Sequence, residues 1–411
     1  MHQIVLICLL GILTACNSQP PERQRTVENM DSLSLDERAK KLAQKFIITD
    51  GHVDLPYRLN DLMEDVSVRT ENGDFDFVRA REGGLDAPFM SIYVPSSFQE
   101  TGGAKEFAEK MIQLVEKIAT DYPDKYAIAR SPEEVSELFS KGIIALPLGM
   151  ENGAPIGNEL HLVQHFHELG IRYITLTHAK DNLICDSSYD PAGTWNGLSP
   201  FGYTVVEEMN RVGIMVDISH VSDSTFYQVL KITKAPVIAS HSSCRYFTPG
   251  WKRNMSDEMI ELLALNGGVI QINFGSNFLD GSSRKSKQKN QEYLVRWEEE
   301  MGDSLSNEEI LAYKNKYHRD NYNFSTVSKV VDHIDHVVSV AGIDHVAFGS
   351  DFDGVGDTLP DGLKDASQYP SIIEELLKRG YSEEDIEKIC YLNVFRVWNQ
   401  AAEVASKLQT S

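Results

Sequence analysis

From residue 37 onward, short apolar and β-branched runs alternate with stretches whose apolar residues recur every three to four positions. The runs read as strands and the periodic stretches as amphipathic helices. Regular alternation of the two means parallel strands joined by crossover helices. Eight runs stand out: FIITDGHVD (46–54), APFMSIYV (87–94), GIIALPLGMEN (142–152), IRYITLTH (171–178), GIMVDISH (213–220), PVIASHS (236–242), GVIQINF (268–274) and HVAFGSDFDG (345–354). Eight is the number that closes a barrel, so the pattern predicts an α/β fold of the (β/α)8, or TIM-barrel, class. The gap between the seventh and eighth runs is too long for one crossover. It holds a charged insertion at about 277–320, expected to form a loop or helical flap, followed by a helix at about 321–341.

The start of the chain breaks this rhythm. MHQIVLICLLGILTAC is a short apolar run of signal-peptide length, too brief to span a bilayer as a stable helix. Its end, LTAC, resembles the lipobox of bacterial lipoproteins. Residues 1–16 are therefore expected to form a lipoprotein-type signal peptide with Cys16 as the lipidated residue, which places the mature protein outside the cytoplasm on a bacterial membrane. Polar residues 17–36 read as a flexible tether and residues 37–411 as one barrel domain. The chain has 39 Lys and Arg against 61 Asp and Glu, a net charge of −22. No basic cluster interrupts that balance, so charge-driven binding to nucleic acid is excluded, and membrane contact is expected only through the N-terminal anchor. Cys185, Cys244 and Cys390 are widely spaced without a CxxC pair, which rules out a zinc knuckle and leaves buried thiols or one disulfide open.

The unusual residues collect at one end of the strands. The first run closes on His52 and Asp54, the third on Glu151, the fourth on His178, the fifth on His220, the sixth on His241, and the eighth on Asp351 and Asp353. Any one of them could cap a turn. Together, at the C-terminal ends of parallel strands, they converge on the mouth where barrel enzymes keep their chemistry. Imidazole and carboxylate are ligands for zinc and similar divalent ions. The natural division is two zinc ions, one held by His52 and Asp54, the other by His220 and His241, with the Glu151 carboxylate bridging them. A hydroxide between the ions would be the nucleophile of a hydrolysis, and Asp351 the general acid/base that moves its proton.

These residues and motifs resemble the membrane, or renal, dipeptidase family, the zinc dipeptidases of peptidase family M19, over about residues 46–398. DGHVDLP is similar to the family's first metal motif, GMENG carries the bridging glutamate, and DISHVS and SHSS carry the second ion's histidines. GSDFDGV, followed by LPDGLKDASQYP, is the most specific match. The resemblance implies a barrel of the metallo-dependent hydrolase type with two zinc ions per subunit, acting on dipeptides. It assigns substrate contacts to His178 in LTHAKDN and Asp351, and the hold on the substrate's terminal carboxylate to Arg253 in KRNMSDEM. The chain departs from mammalian members in lacking their cysteine pattern and in placing Phe278 where they carry a tyrosine. Side-chain preference, acceptance of a D-residue at the second position and homodimer formation stay open. The competing readings are a two-metal amidohydrolase acting on cyclic or acyl amides, which would open with His-x-His, and a non-catalytic binding lipoprotein. His161, His165, His167, His333 and His336 read as residues on solvated helix faces. Tyr189 and Trp195, in the loop after the fourth run, line the mouth or pack that loop.

Overall fold

The computed structural model describes residues 33–410; the signal peptide, Cys16 and most of the tether lie outside the described residues. The first helix, Leu35–Lys45, starts just before the expected domain boundary.

Eight parallel strands form the central sheet in the order β1 (Ile48–Val53), β2 (Leu85–Tyr93), β5 (Leu148–Glu151), β6 (Ile171–Thr175), β7 (Met215–Asp217), β8 (Ile238–Ser242), β9 (Val269–Ile272) and β10 (Val346–Phe348). All eight fall within or against the predicted runs. The third run differs in one respect. Pro147 has no N–H to give a ladder. The run is split there: β4 (Ile144–Leu146) pairs in a separate two-stranded sheet with β3 (Tyr126–Ile128), and only β5 joins the barrel.

The two sheet edges meet through a parallel bridge between Val53 and Phe352. Asp54 N donates to Phe352 O at 2.8 Å and Asp351 N to His52 O at 3.0 Å. The buried Asp50 carboxylate strengthens the joint, since its Oδ1 accepts from both His52 N and Ser350 N at 2.9 Å. The barrel therefore closes through the backbone of its own site residues.

Ser199, Ser222 and Ser256 each accept a backbone N–H and cap the crossover helices Pro200–Val212, Asp223–Ile232 and Asp257–Leu265. At the opposite end of the barrel, Ile47, Met215, Ile238 and Val269 at the strand starts pack with Val394, Val397, Trp398 and Ala401 of the final helix, Asn393–Thr410. That end is a filled core, which leaves the C-terminal mouth for function.

The insertion is helical, with helices Gly281–Met301 and Asn307–Asn321, and the helix expected from about 321 begins at Val327. His333 corrects the reading of solvated helix histidines. It is fully buried, its Nδ1 accepts from Cys244 N at 3.0 Å and its Nε2 lies 3.0 Å from Leu279 O. His165 and His336 also find carboxylates on neighbouring helices, Glu109 at 2.7 Å and Asp257 at 2.8 Å. Cys185, Cys244 and Cys390 are free and buried.

Candidate metal centre

Strand ends bring His52, Asp54, Glu151, His220 and His241 around one point of the mouth. Glu151 is central, with each carboxylate oxygen turned to a different set of partners. Its Oε2 lies 3.5 Å from His52 Nε2, which is itself 3.5 Å from Asp54 Oδ2. Its Oε1 lies 3.0 Å from His220 Nε2, 3.3 Å from His241 Nε2 and 3.7 Å from His178 Nε2. Three overlapping groups have the spacing of metal ligands: His52, Glu151 and His241; Glu151, His178 and His220; and His52, Asp54 and Asp351.

The hydrogen bonds around the histidines fix which nitrogen is free. Tyr173 Oη donates to Gly51 O at 3.0 Å, so the contact from His52 Nδ1 to the same hydroxyl at 2.9 Å has the imidazole as donor. His52 Nε2 is then a lone pair facing the site. Gly149 makes this possible, because a Cβ there would stand 2.0 Å from the Tyr173 ring. His241 is oriented in the same way. Ser240 Oγ donates to Asp217 Oδ2 at 2.6 Å and accepts from His241 Nδ1 at 2.7 Å. Asp217 in turn accepts from Thr175 Oγ1 at 2.5 Å and from the backbone N–H groups of Ser219 and Ser240. Such outer partners are what hold metal-ligating imidazoles in one tautomer.

Several buried polar atoms here have no hydrogen-bond partner among the described residues: His52 Nε2, Asp54 Oδ1, His178 Nδ1 and His220 Nδ1. In addition, His220 Nε2 and His241 Nε2 face each other at 2.9 Å. The His241 Nε2 lone pair, His220 Nε2 and Glu151 Oε1 crowd one another within 3.3 Å, and cations among these donors would satisfy them together. Burial, with Arg253 and His178 nearby, holds His220 well below the usual imidazole range. His241 is pushed down to about 3 by burial, His52 and Arg253, so both are neutral donors. His52 goes the other way: burial opposes its charge, but Tyr173, Asp54 and Glu151 outweigh it and raise its pKa well above the ordinary value. The negative field that holds a proton on His52 is the field that would hold a cation. The donor set of imidazoles and carboxylates fits divalent metal ions.

Asp351 stands beside this cluster. Burial, reinforced by Asp54 and Glu151 and opposed by His52, pushes it up to about 7. Bound cations would draw that value down. Asn273 Nδ2 donates to Asp351 Oδ2 at 2.7 Å and orients it. Gly354 keeps room for both acids, since a Cβ there would meet Asp54 Oδ2 at 2.1 Å and Asp351 Oδ1 at 2.3 Å. His220 and Asp351 have positive φ, +68° and +64°. Non-glycine residues held in the left-handed region mark places where the surroundings fix the backbone. Asp353, expected to converge with the others, also lines the cavity, but its carboxylate bonds to Arg58 Nε at 3.0 Å and Asp74 N at 2.6 Å and is committed to the loop.

The cluster floors a cavity of about 590 Å³ whose walls include Tyr57, Tyr93, His178, Tyr189, Phe278 and Lys287. Arg253 is buried behind two lining residues. Its guanidinium donates to His241 O at 2.8 Å and Ser242 Oγ at 2.7 Å, lies 5.2 Å from the Phe278 ring centre and leaves Nε without a partner. Trp195 lines a neighbouring cavity and packs its own loop, donating to Asn182 O at 2.7 Å. Sequence reasoning missed Asp217, Tyr173, Ser240, Asn273 and Lys287. Of these, Asp217 had a signal, a carboxylate inside the apolar run GIMVDISH.

A family model described as membrane dipeptidase (Peptidase family M19) matches residues 36–411. Dipeptidase verJ of Clonostachys rogersoniana is 35% identical over 395 residues, covering 92% of this chain and 89% of that protein. Dipeptidase 3 of Mus musculus is 31% identical over 387 residues, covering 91% and 68%. Among solved structures, the probable dipeptidase PvdM from Pseudomonas aeruginosa superposes with a TM-score of 0.77 at 26% identity, covering 90% of this chain and 99% of that one.

Proposed function

We propose a reaction for this chain from one premise: it belongs to the membrane dipeptidase family, a family of metallopeptidases. The reaction is hydrolysis of the single peptide bond of a dipeptide. The observation that carries the reading is the division of the Glu151 carboxylate between two sets of donors, His52 with Asp54 and His220 with His241.

Two zinc ions in those places would lower the pKa of a shared water and polarise the scissile carbonyl. The chain's own residues do the rest. Glu151 spaces the two donor sets, while Tyr173 and the Asp217–Ser240 pair keep the lone pairs of His52 and His241 turned inward. Asp351 accepts the proton of the attacking water as the carbon–oxygen bond forms. It returns that proton to the amine nitrogen as the carbon–nitrogen bond breaks. His178, at the cavity wall, contacts the substrate near the carbonyl. Arg253 supplies a guanidinium to the terminal carboxylate, the group that distinguishes a dipeptide from a longer chain. The same reading places the enzyme outside the cytoplasm, held by a lipid on Cys16, on the strength of LTAC alone.

The test is a metal count combined with turnover of L,L and L,D dipeptides, with tripeptides as controls. Two ions per chain and cleavage confined to dipeptides are expected. Comparable tripeptide cleavage, or a metal-loaded protein that cleaves no dipeptide, refutes the reading.

A further inference from the structure

The helix Gly281–Met301 forms one wall of the cavity, and its sequence is polar almost throughout. It follows directly on Ser276–Leu279, whose Asn277 and Phe278 line the cavity, and Asp280 caps its start by accepting from Ser282 N at 2.7 Å. Its inward face is fixed by three buried small residues, Ser283, Ser286 and Asn290. At 100° per residue these span an arc of about 60°, and position 287 lies about 40° beyond its edge. Lys287 is thus at the margin of that face, half-buried beside two serines and an asparagine. The docking is held on both sides, by Ser286 Oγ accepting from Asn323 N at 3.0 Å and by the Arg284 guanidinium 4.7 Å above the Trp251 ring.

Lys287 lines the cavity and makes no hydrogen bond or ion pair with any described residue. Of the other lysines of the insertion, Lys314 pairs with Glu298 at 2.6 Å and Lys316 with Asp320, while Lys285 and Lys289 are exposed. The lining also holds four carboxylates, Asp54, Glu151, Asp351 and Asp353, and three histidines, His178, His220 and His241. Burial lowers the Lys287 pKa and the charge of Asp351 opposes that shift, yet no ion pair forms between them, and an ammonium so placed is suited to an anionic group of the ligand. Its neighbours show which end of the ligand. Phe278, two residues before the helix cap, is the ring that Arg253 packs against, and its own ring centre lies 5.0 Å from Trp251. Lys287 therefore stands on the helix that directly follows the segment packed on Arg253, where the proposed reaction puts the carboxyl-terminal residue.

We propose that Lys287 is a specificity residue that selects dipeptides whose C-terminal residue carries a side-chain carboxylate, aspartate or glutamate. The inference rests on the dipeptidase reading above, with Arg253 taking the main-chain carboxylate and Lys287 the second one.

The test measures kcat/KM for Ala-Glu, Ala-Gln and Ala-Lys with the wild-type enzyme and with Lys287→Met and Lys287→Glu, checking metal content and melting temperature for each. Wild type should prefer Ala-Glu to Ala-Gln by about tenfold, the scale of one charge-assisted hydrogen bond. Lys287→Met should lose about that factor on Ala-Glu and less than about twofold on Ala-Gln, and Lys287→Glu should turn the preference toward Ala-Lys. Equal losses on Ala-Glu and Ala-Gln would mean that Lys287 serves the shared main-chain carboxylate, and the inference falls. A wild-type enzyme that cleaves both substrates equally well overturns the inference alone, whatever the variants do. One that cleaves no dipeptide at all overturns the dipeptidase reading and this inference with it.

Discussion

The two walls of the cavity are built on opposite terms. The floor and one side come from strand ends, where His52, Glu151 and His241 are the last or nearly the last residues of β1, β5 and β8, with β5 and β8 laddered on both flanks and β1 held by β2 on one side and the Val53–Phe352 bridge on the other. The other side comes from an inserted helix attached through Phe278 and a few serine contacts. The rigid wall carries groups whose spacing must hold to within a few tenths of an ångström for metal chemistry. The inserted wall carries a residue that need only meet a charge. Chemistry and selectivity thus sit on different supports, and they join at His333. That residue is not a ligand, yet its two nitrogens tie the loop after His241 to the base of the insertion through Cys244 N and Leu279 O.

That division makes the expected damage differ by wall. Glu151→Ala should do the most. It removes the bridge, both metal sites should empty, and dipeptide turnover should fall at least about a thousandfold; retention of two ions by the variant would break the assignment. Asp351→Asn should lower kcat by about a hundredfold or more with the metal content intact. Loss of metal instead would make Asp351 a ligand, as its grouping with His52 and Asp54 allows. Asp217→Asn touches no substrate, so it should weaken metal affinity by about 10- to 100-fold with KM unchanged once metal is saturating.

The smallest effect belongs to the joint. Burial pushes His333 down to about 4, against about 6.5 in an unfolded chain. The unfolded state therefore takes up the proton first as pH falls, and the stability held by neutral His333 is present above pH 6.5 and lost on the way to pH 4. Between pH 7 and pH 5 the gap in unfolding free energy between wild type and His333→Asn should shrink by about 2 kcal/mol, read from urea melts at the two pH values. A gap that does not change would place the proton elsewhere.

The same contrast explains what was legible beforehand. Strand ends advertise themselves, because a β-branched run that stops on a histidine or carboxylate is conspicuous and the barrel brings all such ends to one mouth. Eight strands and the convergence of His52, Asp54, Glu151, His220 and His241 could be read that way. The third run could not be divided correctly, since its continuous apolar character hid the break at Pro147. Asp217 and Tyr173 were passed over because a single polar group in a buried strand looks the same whether it orients a ligand or satisfies a neighbour. Lys287 gave no signal. In RKSKQKN every lysine looks solvated until the docking of the helix shows which one turns inward. His333 was misread for the same reason, its partners being supplied by segments remote in sequence.

The closure of the barrel has a consequence for how the protein is made. Asp50 Oδ1 and Ser350 N, which help seal the last seam, are 300 positions apart. At roughly 5–20 residues per second of synthesis, β1 waits about 15–60 s for the partner on its open side. The contacts that finally cover it, His52 O with Asp351 N and Asp54 N with Phe352 O, are also those that set Asp54 beside Asp351. Completing the fold and completing the site are one event, so a nascent or truncated chain ending before β10 has an open strand edge and a reaction centre without Asp351.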